Sequence, residues 1–229
     1  MRLRRRSIDF TLYLRALALL IKNPIVMVPP LVGALLSVLV SSFSGSFTDP
    51  LGGFGGGLLQ FLSILVEMFL FGVSLIIADA VWRRGRTTFD AAWTEAQQKA
   101  TSILFAAVGF QFVVYAATMV GNVLGPIGLV LAALAVFFLI YTIPAAAIGG
   151  IPGSAALSAS IERVKENYFA AVVLSVVSIL LYGYISFIAI ELLFSYLGPM
   201  AWLIQALLRA IIVGYLAFVF AKQYDEVAL

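Results

Sequence analysis

Two side chains of opposite sign stand alone inside long apolar runs. Glu67 interrupts LLQFLSILVEMFLFGVSLII, and Arg209 interrupts AWLIQALLRAIIVGYLAFVF. Charge in hydrocarbon is costly, at least ~2.5 kcal/mol for a lone arginine at mid-depth, so such residues point either to a function or to each other. Helices rise about 1.5 Å per residue, which puts both near the middle of an apolar layer about 30 Å thick. Gln111 falls at the same level in a third run, and Gln205 is one turn from Arg209. Two chemistries fit this group. One is an interhelical ion pair that fixes which helices pack together; the other is a polar site for a solute or a proton. The ion pair is preferred, because transport sites are built on interrupted helices with several polar groups around them. A second pair, Asp79 and Arg83, is spaced four residues apart at the end of its run, which suits a surface pair on one helix face.

Other chemistries lack their residues. The chain has no cysteine and no histidine. It therefore has no thiol nucleophile, no Ser-His-Asp set and none of the commonest metal ligands. No catalytic residue, metal site or cofactor is expected, and the protein is not expected to be an enzyme. The glycines at 52–57 lack the Gly-Lys-Ser/Thr ending of a phosphate loop. A basic stripe with aromatic platforms is also missing, so nucleic acid is not an expected partner.

The elements that must position Glu67 and Arg209 follow from composition and charge. Of 229 residues, 63% are hydrophobic and 11% charged, against about 25% charged in a soluble domain. Apolar surface on that scale would aggregate in water. Basic residues gather at the start (Arg2, Arg4, Arg5, Arg6, Arg15, Lys22), at Arg83–Lys99, at Arg163 and Lys165, and at Lys222, with gaps that hold no lysine or arginine alternating between them. That alternation predicts a cell-membrane protein with both termini cytoplasmic. The expected fold is all-α, a single transmembrane domain over 1–229. Six spans are expected at about 25–43, 58–82, 102–120, 123–148, 168–190 and 200–221. They form three hairpins, each preceded by a cytoplasmic amphipathic interfacial helix at about 7–22, 87–100 and 154–166.

Finer features also follow. Phe10, Leu14, Leu17 and Ile21 share one face of the first interfacial helix. Leu157, Ile161, Val164 and Tyr168 form the apolar line of the third. Ser7, Thr87 (with Asp90 as a capping box) and Ser154 are the expected caps. Pro29-Pro30 and Pro144 should disturb the inner ends of the first and fourth spans. Gly121-Asn122 should turn the third span into the fourth, with Gly121 and Gly125 allowing close approach. A loop is expected at 44–57, with Asp49 its lone charge, and Glu191 should lie at the outer surface.

Three stretches carry a resemblance: IKNPIVMVPP at 21–30, AAIGG at 146–150 with AALSASIERVKEN at 155–167, and the aromatic end from Tyr215 to Tyr224. Together they resemble the six-span YciC-like membrane proteins and the related membrane domain fused to some glycerophosphodiester phosphodiesterases. The resemblance implies a six-helix membrane fold with interfacial helices. It transfers no catalytic residues, and the metal-binding Glu and His residues of such a phosphodiesterase have no counterparts here. The expected function is structural, assembly or lipid-interacting, with membrane lipids as partners and anionic headgroups at the cytoplasmic face. A second copy of the chain or another membrane protein is left open as a partner. The alternative is a small-solute transporter or channel using the Glu67–Arg209 level.

Overall fold

The computed structural model describes residues 10–44, 52–185 and 196–227, and every regular element among them is helical. Helix α1 (Thr11–Lys22) leads through a 3-10 turn at Pro24–Met27 into α2 (Val28–Ser44). Then follow α3 (Gly52–Arg84), α4 (Phe89–Gln98), α5 (Ala100–Leu124), α6 (Pro126–Phe138) and α7 (Thr142–Ala147). The chain continues through α8 (Gly153–Glu166), α9 (Tyr168–Ser178) with a wide π turn at Ile179–Ile185, and α10 (Ala201–Val227). Four stretches are long and apolar enough to cross a membrane: Gly57–Arg84, Ala100–Val120, Val130–Ala147 and Ala201–Asp225. Two bent pairs raise the number to six if each is one span. The protein is therefore a helical, membrane-embedded one.

The two bends share a cause. Helix α1 meets the following helix at 92°, and α8 meets α9 at 108°. An asparagine stands at each corner with nearly the same backbone, Asn23 at φ −131°, ψ 66° and Asn167 at φ −133°, ψ 57°. Each donates its N–H to a carbonyl four residues back, Leu19 or Arg163. The earlier helix is closed there, and a new one starts at a right angle. Helix α1 turns its small and leucine stripe, Leu12, Ala16 and Leu20, into the protein and leaves the Phe10, Leu14, Leu17 and Ile21 face outward. An outward apolar face on a short helix perpendicular to its span suits a bilayer boundary.

Several boundaries differ from the sequence reading, each for a local reason. Helix α3 begins at Gly52, so 52–57 continues the helix instead of closing the loop; a glycine costs about 1 kcal/mol in a helix, which a long apolar helix can absorb. Of that loop, 45–51 with Asp49 lies outside the described residues, as do Ser7 and Glu191. The third-to-fourth turn falls at Gly125 (φ 65°) followed by Pro126 at the start of α6, not at Gly121-Asn122. Left-handed backbone wants glycine, and a first-turn proline loses no hydrogen bond. A Cβ at Gly125 would meet nothing within 4 Å, so it serves the turn and not close helix approach. Thr88, not Thr87, caps α4 by accepting from the Ala91 N–H. Helix α8 starts at Gly153, so Ser154 is its second residue and caps nothing. Its buried stripe is Gly153, Ala156, Ser160 and Val164. Of the apolar line Leu157, Ile161, Val164 and Tyr168, Val164 joins that stripe and Tyr168 is exposed, since small residues let α8 press against α5.

Proline explains two interruptions. Pro29 and Pro30 occupy the first turn of α2, where they are tolerated, and the irregular part is the 3-10 turn before them. Pro144 breaks the fourth span one turn earlier, at 139–141, since a proline ring collides with the carbonyl four residues back, here that of Ile140. Ser160 of α8 repairs the gap: its hydroxyl accepts from the Tyr141 N–H at 3.0 Å and donates to the Phe138 carbonyl at 2.9 Å. Ser160→Ala should strip both bonds from buried backbone groups and cost about 2 kcal/mol. Comparing thermal unfolding of the wild type and this variant in detergent checks it.

Packing is dense at the end that carries the basic residues and open at the other. Buried positions concentrate in 73–78, 141–147 and 216–221, with Ala92, Ala96, Ala156 and Val164 beside them. Lysine and arginine tie this end together by closing helix C-termini, a favourable place for cations. Lys99 Nζ donates to the Ala147 carbonyl at 2.8 Å, and Arg163 donates to the Tyr224 carbonyl at 2.6 Å while its guanidinium lies over the Tyr224 ring. Trp82 Nε1 donates to the Phe218 carbonyl at 2.9 Å. Asp79 pairs with Arg83 at 2.8 Å, and Arg83 also reaches Asp225 at 3.5 Å. That surface pair therefore also links α3 to α10.

Candidate functional site

Glu67 and Arg209 meet. Arg209 Nη2 lies 3.3 Å from Glu67 Oε2 and 3.4 Å from Oε1. The two side chains are 18% and 24% exposed for Arg209 and Glu67, so most of each is out of solvent. The geometry that joins them is the parallel packing of α3 and α10, whose contacts advance together from Glu67–Arg209 to Trp82–Phe218 and Arg83–Asp225. Glu67 is ten residues into the apolar stretch from Gly57, and Arg209 is eight residues into the one from Ala201. The two distances from the same end differ by two residues, about 3 Å of rise, so the residues stand at nearly one level. Gly33 of α2 faces Glu67: a Cβ there would stand 3.4 Å from Glu67 Cγ, so α2 lies against the pair.

A third group joins them. Arg209 Nη2 also donates to the Tyr182 hydroxyl, and the guanidinium lies 5.4 Å from the Tyr182 ring centre. Tyr182 stands on the π turn at Ile179–Ile185. Counting charges along the apolar runs does not single it out. A signal was present nonetheless: Ser175, Ser178 and Tyr182 recur at i, i+3 and i+7 on one helix face, a polar line in an otherwise apolar span. The hydroxyls of Ser175 and Ser178 are buried and have no hydrogen-bond partner among the described residues.

These groups edge a cavity of about 1040 Å³. Its walls come from α2 (Pro30, Gly33, Ala34), α3 (Ile64, Met68, Phe71), α6 and the break after it (Val130, Phe137, Ile140), α9 with its π turn (Ile179, Gly183) and α10 (Val213, Leu216). Phe110 is the contribution of α5. The lining is aliphatic and aromatic apart from Glu67, Arg209, Tyr182, Ser175 and Ser178. The volume is at the upper end of the roughly 300–1,000 Å³ of small-molecule sites. Both helix irregularities, the break at 139–141 and the π turn at 179–185, fall on its wall.

The two glutamines do not join the group. Gln111 neighbours Phe110 on α5 but does not line the cavity. Gln205 lies one turn from Arg209 and also stays off the cavity wall, and its buried side-chain oxygen has no hydrogen-bond partner among the described residues. Equal depth told nothing about angular position around each helix axis, and that is what separates them. Among the described residues no group of three or more Asp or Glu side chains is placed to hold a metal ion. Comparison with protein-family models, with curated proteins and with solved structures gives no match.

Proposed function

We propose that this protein is a non-enzymatic membrane protein that holds an amphiphile, such as a lipid or lipid-like molecule, in its intramembrane cavity. The single observation that carries the reading is the cavity's composition: about 1040 Å³ of apolar wall with one polar cluster, Glu67, Arg209 and Tyr182, at its edge. An acyl chain meets in this wall the apolar surroundings it has in the bilayer, and the polar cluster fixes one end. A purely structural protein would bring the same helices together with a filled interior. The proposed setting is six spans as three hairpins in the cell membrane, the basic end and both termini cytoplasmic, and α1, α4 and α8 in the interface. The alternating charge supports this arrangement, as do the two right-angle corners at Asn23 and Asn167 and the resemblance to six-span YciC-like proteins.

Val213 lines the cavity one turn from Arg209. Val213→Trp should fill the space beside the cluster. Native mass spectrometry of the wild type released from mild detergent should show a co-purifying amphiphile, and the variant should lose it at least about tenfold while keeping its melting temperature within a few degrees. A wild type that carries no amphiphile and takes up none on titration would overturn the reading.

One observation favours transport as a second reading. Interrupted helices at mid-membrane are how transporters build sites, and two interruptions border this cavity. Flux of a solute dependent on Glu67 would select it.

A further inference from the structure

The way Arg209 is paired points to the charge of the molecule the cavity takes. This rests on the reading of the cavity as an amphiphile site and adds the class of its headgroup. A guanidinium has five N–H donors in a planar fork, and its strong carboxylate pairs use two nitrogens at about 2.7–2.9 Å. Glu67 does neither. Both of its oxygens lie at 3.3–3.4 Å from one nitrogen, Nη2. Tyr182 shares that same nitrogen. Among the described residues Nε and Nη1 carry no partner, although most of the side chain is buried. Arg209 therefore faces the cavity with an under-used fork and a loosely held counter-ion.

Each two-nitrogen edge of a guanidinium includes Nη2, joined by either Nε or Nη1. An incoming oxyanion that takes the Nη2 hydrogen from Glu67 gains a second bond from the idle nitrogen beside it. Exchange of one carboxylate for a better-seated one leaves the number of charges on Arg209 unchanged. The hydroxyls of Ser175 and Ser178, buried on the cavity wall without partners, can meet further oxygens on the same molecule. We infer that the cavity selects amphiphiles ending in an oxyanion, a carboxylate or a phosphate, which Arg209 grips by its two-nitrogen edge in place of Glu67.

The test titrates the delipidated full chain in dodecyl maltoside micelles with oleate, oleoyl lysophosphatidate, oleyl alcohol and acetate, read by native mass spectrometry. Oleate or the lysophosphatidate should bind about tenfold tighter than oleyl alcohol, the scale of a charge-assisted hydrogen bond. The stronger of the two tells carboxylate from phosphate. Acetate should not compete at those concentrations. Glu67→Gln keeps an acceptor for Arg209 but removes the competing charge, so it should tighten the anionic amphiphiles several-fold relative to oleyl alcohol. Arg209→Gln should abolish the preference; if that variant does not fold, the Glu67→Gln comparison decides alone. Equal binding of oleate, lysophosphatidate and oleyl alcohol overturns the oxyanion inference and leaves the amphiphile reading standing. Acetate binding as well as oleate overturns it in favour of a small-anion site. Failure of all the oleyl compounds to bind overturns both.

Discussion

Glu67→Ala is expected to destabilise the protein by about 3 kcal/mol or more. Removing one member of a mostly buried ion pair strands the other, and that typically costs about 3–5 kcal/mol. Here the stranded group is Arg209, which keeps its charge and retains Tyr182 as its recorded acceptor. Arg209→Ala is expected to cost less. It strands a carboxyl group, and a carboxyl group can become neutral by taking up a proton where a guanidinium cannot. The double variant should be milder than Glu67→Ala alone, because no charge then remains in the apolar wall. Urea or heat unfolding of the four proteins in one detergent gives the cycle. A coupling of about 1–3 kcal/mol is expected, whereas strict additivity would show that the contact between α3 and α10 at this level contributes nothing.

Gly153→Ala should be nearly as damaging, by overpacking. Gly153 opens α8 against α5, where a Cβ would collide with Phe105 Cβ, stand 2.9 Å from the Ser102 carbonyl oxygen and 3.1 Å from the Ala106 nitrogen. Two of these are backbone atoms of a regular helix and cannot turn aside, so α8 must lift from α5. Overpacking of this kind costs about 1–3 kcal/mol or more, and the upper end is expected. The control lies in the same interface. At Gly109 an added Cβ would meet Leu157 Cδ1 at 2.7 Å, the far end of a side chain that can change rotamer. Gly109→Ala should therefore cost about 1 kcal/mol. Melting temperatures of the two variants should differ clearly; equal values would show that α5 and α8 approach less closely than described.

The medium and the pairing level were legible in the sequence. Composition excludes water as the solvent of the helix exteriors, because no arrangement of a chain that is 63% hydrophobic hides that much apolar surface. Glu67 and Arg209 were legible because charge in hydrocarbon must be answered, and residue counting along a helix gives depth. Asp79 and Arg83 were legible because four residues of helix bring them together whatever else happens.

What residue counting does not give is rotation about the helix axis and the approach of one helix to another. Gln111 has the right depth and the wrong azimuth. Tyr182, which carries no charge to mark its depth, meets Arg209 from the π turn of a different helix. Leu157 and Ile161 belong to the apolar line of α8, yet the line that packs inside the protein is Gly153, Ala156, Ser160 and Val164. In lipid, apolar side chains gain nothing by turning inward, so interfaces go to the residues that allow close packing. Hydrophobic periodicity, so informative in water, therefore loses its sense of direction here. The cavity is the extreme case: it is empty space left by six segments that pack tightly at the basic end and spread beyond it, and no one segment encodes it. Each segment alone fixes its length, its breaks at Pro144 and Asn167 and the depth of its charges. The space between them, and therefore what it can hold, belongs to the assembled bundle.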